Sequence, residues 1–150
     1  MNSCLSLQLV SAATRWPVLK LTANTQVYLY ALGGDAGSGD SPASGLLAIL
    51  GKCPSAGNFA STTPTVVVNE ISTVAAAYVM AGFASDATHV SSYGTPLAQT
   101  GIANAFANAA SLANLATGAA LAATPSGTGT VPQSEINTLA NIWSFESYLA

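Results

Sequence analysis

Apolar and polar positions alternate over Gln26-Val27-Tyr28-Leu29-Tyr30-Ala31-Leu32, a β-branched and aromatic run that stops at Gly33-Gly34, and the pattern predicts a strand. The segment 18–21 is expected to pair with it. Ser41-Pro42 then offers a capping serine and a proline at a first helical position. With Leu46, Leu47, Ile49 and Leu50 behind them, these residues predict a short, almost wholly buried helix over 42–50, stopped by Gly51. Thr65-Val66-Val67-Val68 has strand character. Beyond it Val67, Ile71, Val74 and Tyr78 recur at spacings of three and four, the signature of a helix with one buried stripe, capped by Asn69 and ended by Gly82. Thr95 and Pro96 start another helix, for which Gly118 supplies a left-handed stop. Along it Ile102, Phe106, Ala109 and Ala113 form the apolar line, and Asn104, Asn108 and Ser111 the wet one. A last helix is predicted over 132–148, with Ile136, Leu139, Ala140 and Trp143 in one stripe and Glu135 in the first turn, where the helix dipole favours it.

These elements predict an α-rich (α+β) fold, three to four helices packed together with a short N-terminal β element. The 150 residues fit a single domain, 1–150. Within it 1–20 carries no clear pattern, 33–45 reads as a flexible Gly/Ser/Asp loop, and 124–131 as a linker before the last helix. No repeat of 20 to 50 residues is present, which excludes a solenoid.

Composition narrows the functional classes. Half the residues are hydrophobic and only 6% are charged, for a formal net charge of −3; ordinary soluble domains carry about 25% charged residues. Arg15, Lys20 and Lys52 are the only basic side chains besides His89, too few and too dispersed to grip a phosphate backbone, so nucleic acid is excluded as a partner. The apolar content excludes wholesale disorder. The longest apolar stretch, 74–83, falls short of the roughly 20 residues a membrane span needs. Met1 is followed by no basic segment, so either an export signal lies outside this chain or the chain is cytosolic, the first preferred. Alanine fills roughly one position in five, and a nearly uncharged surface favours contact with a neighbouring domain or another copy. Cys4 and Cys53 leave two readings open, one disulfide of an oxidising compartment or two unpaired thiols, the second preferred. With His89 as the only histidine they make no zinc site.

Few groups could carry chemistry. Gly39-Asp40-Ser41 and Asp86-Ala87-Thr88-His89 are similar to the GDS and D-x-x-H blocks of the SGNH (GDSL-type) hydrolases. That resemblance implies Ser41 as nucleophile, His89 as base and Asp86 as the group that orients the imidazole. Against it, Ser41 lies seven residues beyond Gly34 in a glycine-rich loop, where that family sets its serine directly after a buried strand. The preferred reading is a capping Ser41 and a solvent-exposed His89. Asp35 and Asp40 in the same loop could be read as calcium ligands, but their spacing matches neither an EF-hand nor a β-roll nonapeptide. Tyr28 and Tyr30, on one strand face, could form a stacking platform and read better as packed residues. Trp143 and Phe145 read as core or a partner contact, and Asn69 and Glu70 as cap and first-turn acid. The expectation is no catalytic, cofactor-binding or metal-ligating residue, and no cofactor.

The central part resembles a module of large exported bacterial proteins that often carry NHL-type β-propeller or immunoglobulin-like repeats. The resemblance runs through Gln26-Val27-Tyr28-Leu29, Leu50-Gly51-Lys52-Cys53, Val68-Asn69-Glu70-Ile71-Ser72-Thr73-Val74-Ala75, Asn104-Ala105-Phe106-Ala107 and Ile136-Asn137-Thr138-Leu139-Ala140. Members tend to place a cysteine just before the tyrosine strand and another after the last helix; here Thr25 and Trp143-Ser144-Phe145 stand there. No catalytic residue is carried over. The expected function is a non-enzymatic, extracytoplasmic structural or interaction module of a secreted or cell-surface protein, with a small serine esterase and a self-assembling subunit as the alternatives.

Overall fold

The computed structural model of the chain describes residues 22–33, 39, 42, 44–55, 59, 62–63, 65–86, 89–91 and 94–149, with the backbone alone for 144–149. The segments 1–20 and 18–21, most of the 33–45 loop, and Cys4, Asp35, Asp40 and Ser41 lie outside the described residues.

The strand expected at the tyrosines is present. β1 (Gln26–Leu32) buries Val27, Tyr28 and Leu29 and pairs antiparallel with β2 (Gly45–Lys52), from Leu32 opposite Gly45 to Gln26 opposite Lys52. The helix expected over 42–50 is therefore a strand. A short apolar run reads alike as a buried helix or a buried strand, and β1 needs a partner for its backbone N–H and C=O groups. Pairing satisfies both strands, whereas the Ser41-Pro42 signal acts only locally. Gly51, read as a helix stop, instead takes its positive φ of 83° beside the β-bulge of this hairpin.

α1 (Glu70–Met80) starts at Asn69 as its sequence indicates, through a capping box: Asn69 Oδ1 accepts from the Ser72 amide and Ser72 Oγ from the Asn69 amide, both at 2.9 Å. Its buried face is Ser72, Thr73, Ala75, Ala76, Val79 and Met80. This corrects the expected stripe, since Tyr78 is 76% exposed. The small residues on the true inner face let α1 approach β2 closely. No strand forms at 65–68, where the Val67 amide instead donates to the Leu115 carbonyl at 2.7 Å.

A short antiparallel pair follows, β3 (Ala84–Asp86) with β4 (His89–Val90), and then α2 (Pro96–Ala109) with Thr95 as cap and Pro96 in its first turn. α2 stops well before Gly118. Asn114 Oδ1 accepts from the amides of Ala116 at 2.9 Å and Thr117 at 3.3 Å, giving the backbone a turn in place of a helix. Around that turn β5 (Ala113–Asn114) and β6 (Ala119–Ala120) pair as a hairpin, and Gly118, with φ of 69°, closes the hairpin instead of the helix. The segment 124–131 is a turn in which the Thr124 amide donates to the Gly129 carbonyl at 3.0 Å and the Gly129 amide donates to Thr124 Oγ1 at 3.1 Å. α3 (Gln133–Leu149) completes the chain.

The described residues form a mixed α/β fold of three helices and six strands in three two-stranded sheets. That overturns the α-rich packing of three to four helices, because two of the regions read as helical are hairpins. One apolar cluster gathers Tyr28, Ile49, Ala76, Val79, Met80, Phe106 and Ala109; a second gathers Ala120, Val131 and Ile136 with Ile71 and Val74 against it. Leu112 packs against both. No helix among the described residues is long and apolar enough to cross a membrane.

Candidate functional site: an apolar groove between the first and last helices

Two buried hydroxyls fix α1 on the outer edge of β2. The Leu47 amide donates to Thr73 Oγ1 at 2.9 Å, and Ser72 Oγ donates to the Leu47 carbonyl at 2.7 Å. Thr73 Oγ1 also donates to the Asn69 carbonyl at 2.7 Å, so both hydroxyls act as donor and acceptor. With α1 held this way, Val74, Ala77 and Tyr78 face α3 across a groove of about 880 Å³. Ile136, Leu139, Ile142 and Trp143 form the opposite wall, Leu46, Leu47 and Leu112 the floor, and Leu32 and Gly45 one end.

Large apolar side chains are left in water along it: Leu32, Leu139 and Ile142 are each more than half exposed, and Tyr78 more so. Among the described residues Glu135 is the only charged side chain on the lining. Its carboxyl is held below the usual carboxylate range, first by the Ser134 hydroxyl, which donates to Oε2 at 2.7 Å, and then by its own backbone amide. The described lining thus offers apolar area with a negative charge beside the start of α3.

The residues singled out from sequence are scattered. Asp86 and His89 do meet, with the imidazole Nδ1 2.7 Å and 2.8 Å from the carboxylate oxygens, on the β3–β4 turn with side chains 54% and 74% exposed. Ser41, their proposed nucleophile, lies outside the described residues, as do Asp35 and Asp40. Tyr28 is buried edge-on to Phe106, ring centres 6.3 Å apart, and Tyr30 lies 6.2 Å from Tyr28, so this pair belongs to the core and forms no open platform. Asn69 is the cap and Glu70 sits in the first turn of α1. Cys53 is buried, its thiol 3.6 Å from the Pro54 carbonyl. Trp143 lines the groove, while the side chain of Phe145 is outside the described residues. Among the described residues no three His, Cys, Asp or Glu side chains gather to hold a metal.

Leu32, Tyr78 and Ile142 are the groove residues that sequence reasoning missed. The available signal was the width of the apolar arc on α3: Ile136 and Ala140 are buried, whereas Leu139 and Ile142 point outward, so the helix carries more apolar surface than one core stripe requires. Comparison of the chain with protein-family models, curated proteins and solved structures finds no match.

Proposed function

We propose that the chain is a non-enzymatic interaction module of an extracytoplasmic protein, and that its working surface is the groove between α1 and α3. One observation carries this reading: Leu32, Tyr78, Leu139 and Ile142 are exposed together around one concavity. Contiguous apolar surface of this kind marks interaction sites, whereas single exposed apolar residues do not. The low charge of the chain supports the reading by leaving little repulsion between neighbours. The resemblance to an exported module points the same way. The test is uptake of a neutral apolar dye, Nile red, by the folded full chain. Dye emission is expected to rise with the wild type and to fall to background with Leu139→Asp/Ile142→Asp at an unchanged unfolding midpoint. No uptake by the folded wild type would mean that the reading is wrong.

The Asp86–His89 contact favours a second reading, the serine esterase with Ser41. An Asp on Nδ1 is the orientation a catalytic histidine needs, but both side chains are more than half exposed, and water screens their action on reacting groups. Turnover of p-nitrophenyl acetate lost in both Ser41→Ala and His89→Ala would replace the interaction reading with the catalytic one. The expected result is no turnover above buffer in any of the three proteins.

A further inference from the structure

We infer that the occupant of the groove is an amphipathic helix of another polypeptide, about two turns long, with aliphatic anchors at i, i+4 and i+7 and a lysine or arginine at the end lying over Glu135. This rests on the groove being an interaction surface. Three observations choose this occupant over others.

The first is the shape of the walls. Both are helices, and the groove-facing positions Val74 and Tyr78 on α1, and Glu135, Leu139 and Ile142 on α3, follow rows four and three residues apart. Such rows accept the ridge of a third helix. From Glu135 to Trp143 the wall runs about 12 Å at 1.5 Å per residue, and anchors at i to i+7 of an incoming helix span about 10 Å. Because Tyr78, Leu139 and Ile142 stay exposed, the groove opens along its length. A bound molecule keeps one side in water, which a helix with a polar back matches fully, whereas a small apolar molecule such as Nile red can bind only as a weak ligand.

The second is the state of the strand edge. A peptide adding as a strand to β2 would need the outward amide and carbonyl of Leu47, and Thr73 and Ser72 already hold both. Strand addition is thereby blocked at the middle of the groove floor.

The third is charge. Among the described residues Glu135 is the only charged group on the lining, so a cation at that end is favoured and a carboxylate repelled. The three helices among the described residues contain no lysine or arginine, and Lys52, the one such cation among those residues, lies on β2. The described helices of a second copy thus offer no cation to Glu135, and the inference commits to a helix of a different polypeptide.

The experiment reads Trp143 fluorescence in the full chain carrying Trp16→Phe. The probes are synthetic 14-residue helical peptides with leucine at i, i+4 and i+7 and a lysine at one end, made in both polarities. Controls are the same peptides with glutamate for lysine, a peptide of identical composition with broken periodicity, and dodecylammonium. One lysine peptide is expected to bind about three- to tenfold more tightly than its glutamate counterpart, a preference that Glu135→Gln removes. Leu139→Asp is expected to abolish binding while leaving the fold intact. Equal binding of the scrambled peptide, equal binding of the lysine and glutamate peptides, or indifference to Leu139→Asp would each overturn the inference. Binding of dodecylammonium but of no peptide would overturn it in favour of a small amphiphile. If no peptide binds while Nile red still does, the helix proposal falls and the interaction reading stands; if the dye also fails, both fall.

Discussion

Asn69 does more than cap a helix. Its Oδ1 accepts from the Ser72 amide while its Nδ2 donates to the Gly118 carbonyl at 2.8 Å, tying the start of α1 to the β5–β6 turn. Nearby space is tight: a Cβ on Gly118 would lie 2.6 Å from Val67 Cγ1 and 2.7 Å from Asn69 Nδ2. At most N-caps aspartate replaces asparagine freely and gains from the dipole. Here Asn69→Asp keeps the cap but turns an anion toward a carbonyl, and the expected loss is about 1–2 kcal/mol. Asn69→Ala loses both bonds and is expected to cost about 2–3 kcal/mol. Urea unfolding of the two variants checks the order; an aspartate variant as stable as wild type would show that the Gly118 bond contributes nothing. Ser134 and Glu135 make a separate case. Because the folded carboxyl titrates below its ordinary value, its contribution to stability is fully present above the ordinary carboxylate pKa and is lost as pH falls through the lowered one. Ser134→Ala removes the main cause and is expected to move the Glu135 titration back up toward the ordinary value, as read by carbon NMR of the side-chain carboxyl.

The contact of α1 with β2 concentrates polar bonding on one residue, Leu47, whose amide and carbonyl both go to side chains of the helix. Thr73→Val keeps the shape and removes the acceptor, leaving a partly buried amide unsatisfied. The expected cost is about 1–3 kcal/mol, with faster hydrogen exchange at the Leu47 amide than at its neighbours. Nothing local announces this contact: a serine and a threonine inside a helix read as tolerated polar residues, and only the placement of β2 makes them the buried face. The same division explains what was legible. β1 and the starts of α1, α2 and α3 depend on alternation, capping side chains, a proline and a first-turn acid, all within a few residues, and these were readable. β2 was not, because whether Leu46-Leu47-Ala48-Ile49 coils or extends depends on a strand some twenty residues earlier. The end of α2 was misplaced because Gly118 fits a helix stop and a hairpin turn equally well, and Asn114 decides between them. The candidate site was the least legible part. Leu139 and Trp143 were visible as apolar and Glu135 as acidic, but Tyr78 read as core, and a groove between two helices exists only once both are set on the sheet.

At the scale of the whole molecule the core is divided. One cluster lies between the β1–β2 hairpin and the helices α1 and α2, the other beneath the N-terminal half of α3, and Leu112 packs against each while also forming part of the groove floor. A chain with so few charges has little electrostatic means of holding two such units together, since the Asp86–His89 contact is exposed, is ionic only when the imidazole is protonated, and is worth little in water. Cohesion between the units then comes from apolar contact, Leu112 and the α1 residues Ile71 and Val74 included, and from uncharged hydrogen bonds such as Asn69 to Gly118. Truncating Leu112 therefore removes a joint as well as a side chain. Leu112→Ala is expected to destabilise by about 1–3 kcal/mol, on the low side for leucine because the residue is only partly buried. It is further expected to lower the apparent cooperativity of urea unfolding, since the surface exposed in one step shrinks when the clusters part separately. Trp143 reports on the α3 side, and far-UV circular dichroism on the whole chain. In Trp16→Phe the two signals should share one midpoint, and in Trp16→Phe/Leu112→Ala the Trp143 signal should move to lower urea ahead of the dichroism. Coincident transitions in the double variant would mean that the clusters stay coupled without Leu112, and that the floor of the groove is held by the hairpin instead.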